Sequence, residues 1–393
     1  MIDKTYLAFS KAQAQELLTD FSDKKLPLYA KMRNYDFEDK TKNFVSYLSP
    51  MISRKILTEQ EILKYVLKRY SSKNIGKFID EIMWRSYWRG FLETHPLIFY
   101  DYQDDLTKFE KIKKEKPYIN AINGKTRIDC FDSWTKELAS TGYLHNHARM
   151  WFSSIWIFTL RLPWQLGADY FMNHLLDGDI ASNTLSWRWV AGMHTKGKQY
   201  LAYSENIKKY TDNRFNPKNS LNANSFPISD NRIYFPQIIK YKDEYTKAKS
   251  KSALIIHEND LSLENINHYD FIFIQEKPSY EPRRSGKINQ YITNCLSKNY
   301  KILYKKYPSR VFSFSLSDSK TFNELVITNK IQYLSMSYPY ISNLKTHLNK
   351  FLGKVQTEVN IYNSKWDKKV WPHCSKGFFK LKKNIPQLIE EYI

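Results

Sequence analysis

The chain has 393 residues, 42% of them apolar, enough for a globular core in one large domain or two. Its formal net charge of +21 and its aromatic share of 16% suit a polyanionic partner such as nucleic acid, although a lysine-rich solvated surface would give the same balance. Three scattered cysteines, Cys130, Cys295 and Cys374, exclude a disulfide framework and a four-thiolate iron–sulfur cluster, and they imply a reduced, cytoplasmic setting.

In chain order, "MIDKTYLAFSKAQAQELL" does not read as a signal peptide. From residue 9 to about 210 the apolar spacing is helical, without strand alternation. Helices are expected at "KAQAQELLTDFSD", "SPMISRKIL", "TEQEILKYVLKRY" and "KFIDEIMWRSYWRGFLETHP", with Ser49-Pro50 as a helix start. The stretch from His95 to Asp129 reads as a looser, charged connection. Further helices follow in "DSWTKELASTG", "HNHARMWFSSIWIFTLR" and "WQLGADYFMNHLLDGD". The most apolar segment, 150–168, is interrupted by Arg161 and Pro163 and reads as a buried helix, not a membrane span. Residues 213–250, rich in Asn, Ser and Pro, form a linker or draped loop. Beyond it, "SALIIHEN", "YDFIFIQE", "YKILYKK" and "RVFSFSLSD" are strand-like, with helical "INQYITNCLSKN" and "TFNELVITNK" among them. That alternation predicts a small parallel α/β unit, and no glycine-rich phosphate loop follows any of its strands.

Four constellations carry chemistry. In "FIDEIMWRSYWRG", Glu81, Trp84, Arg85 and Trp88 share one helical face, which suits a base-stacking platform with a polar anchor or the rim of an amphipathic core helix. In "GYLHNHARMWF", His145 and His147 point apart on a helix and no carboxylate completes a metal set, while Asn146, Arg149 and Met150 share a face. In "HLLDGDIASNTLSWRWVAG", Asp177 and Asp179 could form an Asx-type turn, hold a metal or do acid–base work. They could also divide their roles, Arg149 neutralising one and a heterocyclic ligand donating an N–H to the other. Thr41 to Ser46 precede a helix, where backbone N–H groups could hold a pyrophosphate; a capped helix entry explains them equally well.

Taken together, "TKNFVSYLSP", "DEIMWRSYWRGFLETHP", "STGYLHNHARM" and "YFMNHLLDGDIASNTLSWRWVAG" resemble the FAD-binding catalytic domain of the photolyase/cryptochrome family over roughly residues 10 to 215. The resemblance implies a mostly α chain: a helical FAD-binding domain at 1–212, a linker at 213–250, and a smaller Rossmann-like, antenna-like α/β domain at 251–393, placed after the helical domain where relatives place it before. It implies FAD as cofactor, with no antenna chromophore assignable. Tyr29, Thr41, Lys42, Asn43, Phe44 and Val45 would face the FAD phosphates and ribose, although Lys42–Val45 depart from the usual Ser-Arg-Leu-Ser. Phe78, Arg85 and Gly178 would join the cofactor site. Arg149 would pair with Asp177 beside the isoalloxazine, Asp179 would accept from the flavin ring, and Asn183 would sit opposite N5. Trp84 and Trp189 would flank a flipped-out pyrimidine dimer, with Trp88 on the same DNA-facing side. Glu81, Asn146 and Met150 would contact its bases, and Arg33 and His147 the DNA backbone. Trp187 and then Trp164 would relay electrons, and the usual distal Trp is missing, so that either Tyr100, Tyr102 or Trp156 would substitute or photoreduction would be poor. The function implied is light-driven splitting of cyclobutane pyrimidine dimers by a monomer acting on UV-damaged DNA, without a membrane. A blue-light sensor, repair of (6-4) photoproducts and a scaffold that has lost flavin are the alternatives. The basic aromatic tail "KWDKKVWPHCSKGFFKLKKNIPQLI" could dock on the helical domain, hold a chromophore or touch DNA.

Overall fold

The computed structural model describes residues 7–222, 224–243, 251–263, 265–281 and 283–392. Every regular element it describes between residues 9 and 210 is a helix. Local chemistry sets several boundaries. Thr58 Oγ1 accepts from the Glu61 N–H and the Glu61 carboxylate accepts from the Thr58 N–H, a reciprocal cap that starts the Glu59–Leu67 helix. "SPMISRKIL" is helical only over Ser49–Ser53, because Lys55 turns the chain at φ 50 and sends its ammonium 3.0 Å from Asp260.

The 95–129 stretch is more regular than its charge suggests. It holds the Leu97–Lys108 and Lys116–Ile122 helices, the first burying Ile98, Tyr102, Asp105 and Leu106 at helical spacing. Residues 224–243 contain neither helix nor strand and drape along the helical part: Ile228 N–H donates to Ala191 O at 2.9 Å, and Gln237 N–H to Thr94 O at 2.7 Å. The remainder of the expected 213–250 linker at residue 223 and at 244–250 lies outside the described residues.

Five parallel strands follow: β1 (Ser252–Ile256), β2 (Phe271–Gln275), β3 (Val311–Phe314), β4 (Tyr333–Ser337) and β5 (Val359–Tyr362), in the order β3-β2-β1-β4-β5. Leu254 pairs in register with Ile272 on one side and Ser335 on the other. Alternation along the strands feeds two cores. Leu254, Ile256, Ile272 and Ile274 join the Gly286–Lys306 helix in a core continuous with the helical part. Ala253, Ile255 and Phe273 pack on Phe322, Leu344 and Phe351 of two helices on the other face. "YKILYKK" is a correction: it is the last turns of the Gly286–Lys306 helix, since Ile288, Ile292, Cys295, Asn299 and Leu303 keep helical spacing through it. β4 and β5 were not among the expected strands.

One helix organises the whole. Gly76–Thr94 packs against Ile180–Val190 on one side and against the C-terminal segments Lys365–Val370, Trp371–His373 and Phe378–Tyr392 on another. Trp366 Nε1 donates to Ser86 Oγ at 2.9 Å. Gly90 permits the approach, since a Cβ there would lie 2.7 Å from Trp371 Cδ1 and 2.8 Å from Cys374 Cβ. Of the three uses open to the basic aromatic tail, docking on the helical part is observed. No helix among the described residues is long and apolar enough to cross a membrane.

Candidate functional site

A cavity of about 520 Å³ lies where three helices and one turn converge. From Gly76–Thr94 come Glu81, Trp84, Arg85 and Trp88, and from Asn146–Ser154 come Asn146, His147, Arg149 and Met150. The turn brings Asp177, Gly178 and Asp179, and Ile180–Val190 adds Asn183, Trp187 and Trp189. Two of the quoted helical faces and both aspartates therefore meet across one space. Ser49, Ser182 and Ser186 also line it and were missed; as small hydroxyls among aromatic residues they leave no pattern of their own.

Charge in the cavity is ordered. Arg149 Nη2 lies 3.0 Å from Asp177 Oδ2. Burial alone would raise the Asp177 carboxyl, but Arg149 and Arg85 outweigh it and hold it below the usual carboxylate range. Asp179 caps the Ile180–Val190 helix through the Ser182 N–H at 2.8 Å and takes Arg89 Nε at 2.8 Å. Burial opposes its ionisation as well, yet Arg89, Arg85 and the Ser182 N–H bring it to about 2. Arg89, which sequence reasoning passed over, is 3% exposed and bridges Asp179 and Glu59, the latter at 3.0 Å. Glu81 behaves oppositely: burial raises its carboxyl even though Arg33 stands 2.9 Å away. Asn183 donates Nδ2–H to Ala168 O at 2.8 Å, which leaves its carbonyl oxygen for a ligand N–H.

Several expected residues lie elsewhere. Tyr29 and Phe78 pack edge-on with centroids 5.3 Å apart in an aromatic cluster with Phe21, and do not line the cavity. Thr41, Lys42, Asn43, Phe44 and Val45 do not line it either. Lys25 Nζ donates to the carbonyls of Thr41 and Asn43, and the buried Asn43 side chain accepts the Phe37 N–H, so the stretch is folded on its own polar groups. His147 borders the cavity but is 8% exposed, stacked on Trp151 at 4.0 Å and bonded to Asn34 O and Tyr200 OH, a packed residue and not one presented to a DNA backbone. Trp88 is likewise buried, against Trp84 and His194. Arg33 is occupied by Glu81. The Trp187 ring meets Trp156 at 6.2 Å, while Trp164 stacks on Tyr102 at 5.6 Å. Trp156 was named only as a substitute for a missing distal residue. Tyr118 reaches its edge at 5.9 Å.

Four buried polar atoms around this cavity have no hydrogen-bond partner: Arg85 Nη1, Asp177 Oδ1, Ser182 Oγ and Trp187 Nε1. Each such group costs about 1–3 kcal/mol. Two donors with a fixed charge pattern, a carboxylate oxygen, an amide oxygen and aromatic walls match a planar heterocycle bearing both N–H and carbonyl groups. The residues fit a flavin ring; the phosphate end is the part for which the expected residues are not at hand.

Residues 78–252 match the family model described as the FAD binding domain of DNA photolyase. Over 211 residues the chain is 29% identical to a deoxyribodipyrimidine photo-lyase of Buchnera aphidicola, covering 51% of this chain and 42% of the relative. The protein of that name in Vibrio cholerae is 26% identical over 209 residues, covering 51% and 43%. A bacterial class III photolyase structure from Agrobacterium tumefaciens aligns with TM-score 0.44 and 26% identity, covering 51% of this chain and 42% of that one. The chain thus spans about two-fifths of the length of these relatives. A flavin-binding helical protein is the class that the cavity and the matched domain define. The similarity to the photolyase family is carried by residues 78–252, and FAD is the cofactor of that matched domain.

Burial also sets the acid response. His145, His147 and His194 are each lowered to about 4, chiefly by desolvation. An unfolded histidine titrates near pH ~6.5, so each takes up a proton on unfolding between there and pH 4. Stability is therefore expected to rise with pH across that window. Thermal unfolding followed at pH 5 and pH 7 checks it, and equal midpoints would contradict the buried neutral rings.

Proposed function

We propose that the chain is the catalytic part of a light-dependent DNA-repair flavoprotein that splits cyclobutane pyrimidine dimers, a lyase acting on UV-damaged DNA. The observation that carries this is the convergence of Glu81, Trp84, Asn146 and Met150 with Asp177, Asp179 and Asn183 on one cavity. Bound, fully reduced FAD would supply one electron under blue light and recover it after the cyclobutane bonds open. The chain's residues do the rest. Asp177, held by Arg149, and Asp179, held by Arg89, present fixed carboxylates to ring N–H groups. The Asn183 amide, its Nδ2–H already given to Ala168 O, would offer the ring a neutral acceptor without bringing a charge. Glu81, held by Arg33, offers a polar anchor for a base, and Trp84 and Trp189 supply flat apolar walls. A net charge of +21 supports the polyanionic substrate. Trp187 and Trp156 offer an aromatic route for re-reducing the flavin, so Trp156→Phe is expected to slow photoreduction more than Trp164→Phe; the reverse order would restore the Trp164 route. We further read residues 251–393 as an antenna-like domain standing behind a catalytic domain at 1–212.

The test is illumination of the reduced, purified protein with a dimer-containing oligonucleotide. Loss of dimers only in the light, lowered about tenfold in yield or affinity by Glu81→Ala, is expected. Bound flavin with repair of (6-4) products alone would move the lesion assignment, and flavin without repair of either lesion would favour a blue-light sensor.

A further inference from the structure

Phe378, the first residue of the C-terminal helix Phe378–Tyr392, stacks on Trp84 with centroids 3.8 Å apart and planes 9° from parallel. Trp84 lines the cavity and Phe378 does not, so Phe378 backs the indole on a side away from it. The helix is thereby fixed at the cavity's rim. Its inward residues are Phe378, Leu381, Ile385 and Leu388. Phe379, Lys382, Lys383 and Pro386 are exposed and fall at i, i+3, i+4 and i+7, one continuous face. Phe379 is 76% exposed, a large apolar ring with no packing role. Lys382 reaches Asp80 at 2.6 Å, one residue before Glu81 of the cavity wall. Lys77, exposed on the neighbouring helix, shares the face of Glu81 and Trp84. The acids beside this patch, Asp80 and Glu81, are already paired with Lys382 and Arg33, so the patch presents positive charge with an aromatic ring at its N-terminal end.

We infer that this face of the C-terminal helix holds a nucleic-acid strand beside the cavity, Phe379 stacking on a base and Lys383 meeting a phosphate. The occupant is fixed by charge complementarity and by the exposed ring, since single strands are held by lysines that follow the backbone and aromatic rings that take the bases. The inference rests on DNA being the ligand of the proposed function. It adds a contact from a segment beyond residues 78–252, the part matched to the FAD-binding domain.

The experiment is a fluorescence-anisotropy titration of the full chain against two labelled single-stranded oligonucleotides, one undamaged and one carrying a dimer, at several salt concentrations. The variant is Phe379→Ser with Lys383→Ala, both surface positions, with its unfolding midpoint measured alongside. Affinity for both strands is expected to fall about tenfold, and the salt dependence to become shallower by about 0.7 in log–log slope, the value for one phosphate contact on a single strand. Unchanged affinity and slope would overturn the inference even if the wild type prefers the dimer strand, and would leave an acidic protein as the occupant. A wild type that binds the undamaged strand through this face but shows neither dimer preference nor light-dependent repair would overturn the proposed function alone. No binding of either strand would overturn both.

Discussion

Replacing Arg89 with methionine is expected to destabilise the protein by about 3–5 kcal/mol, because it takes the paired cation from buried Glu59 and leaves buried Asp179 with Arg85 alone. Arg89 is 3% exposed; its Nε meets Asp179 at 2.8 Å and its Nη1 meets Glu59 at 3.0 Å. The guanidinium also lies over the Tyr340 ring at 4.7 Å, which ties the helical part to the loop after β4. Lys55 repeats the arrangement alongside, against Asp260 and the same ring. Urea unfolding measures the loss. The pH dependence identifies its source. Asp179 is held near 2, below its unfolded value, so its contribution is complete above about pH 4 and is lost as pH falls towards 2. In Arg89→Met that acid-labile part is expected to vanish first, shifting acid unfolding to higher pH. A variant as stable as wild type, with the same acid midpoint, would mean that Arg89 does not neutralise the pair.

Adding one methyl group at Gly167 is expected to cost about 1–3 kcal/mol and to displace Trp187. A Cβ there would lie 2.2 Å from Trp187 Cη2 and 3.0 Å from Trp156 Nε1, far inside contact distance, within the buried Trp164–His174 helix. Trp187 is 2% exposed and wedged by Phe171 at 5.1 Å and Trp156 at 6.2 Å, so its ring has no free direction except the cavity it lines. Gly167→Ala is therefore expected to lower the unfolding midpoint, reduce flavin retention and slow photoreduction together. Loss of stability with flavin and photoreduction unchanged would separate Trp187 from the cofactor site.

Much of the site was legible because its residues recur at helical spacing. Glu81, Trp84, Arg85 and Trp88 fall on one face by arithmetic alone, as do Asn146, Arg149 and Met150, and the structure sets both on the same cavity. The pairing of Arg149 with Asp177 is a tertiary contact across 28 positions; the residues themselves suggested that Arg149 neutralises one of the two aspartates, and the family resemblance said which. Spacing failed where position depends on how the chain returns. Tyr29 and Thr41–Val45 look right for a phosphate site by their place in the chain, but Phe21 and Phe78 claim the first, and Lys25 and Asn43 tie down the second. Trp164 and Trp156 cannot be ranked from sequence, since both are buried tryptophans and the ring that Trp187 meets, Trp156 on the π turn Ile155–Thr159, is set by tertiary packing. The error at "YKILYKK" has a similar root: Ile302 and Tyr304 are exposed on a helix held by Cys295, Asn299 and Leu303, so its apolar letters mark the wrong face.

The central claim is that the cavity between Arg85, Asp177 and Asn183 holds FAD, and the absorption spectrum of the purified protein tests it most directly, read for wild type, Arg85→Leu and Asp177→Leu. Wild type is expected to carry flavin with the bands of a bound isoalloxazine, and both variants, while still folded by circular dichroism, to retain at least tenfold less after exhaustive dialysis. Flavin retained equally by all three proteins, or by none, would contradict the placement of the cofactor in this cavity.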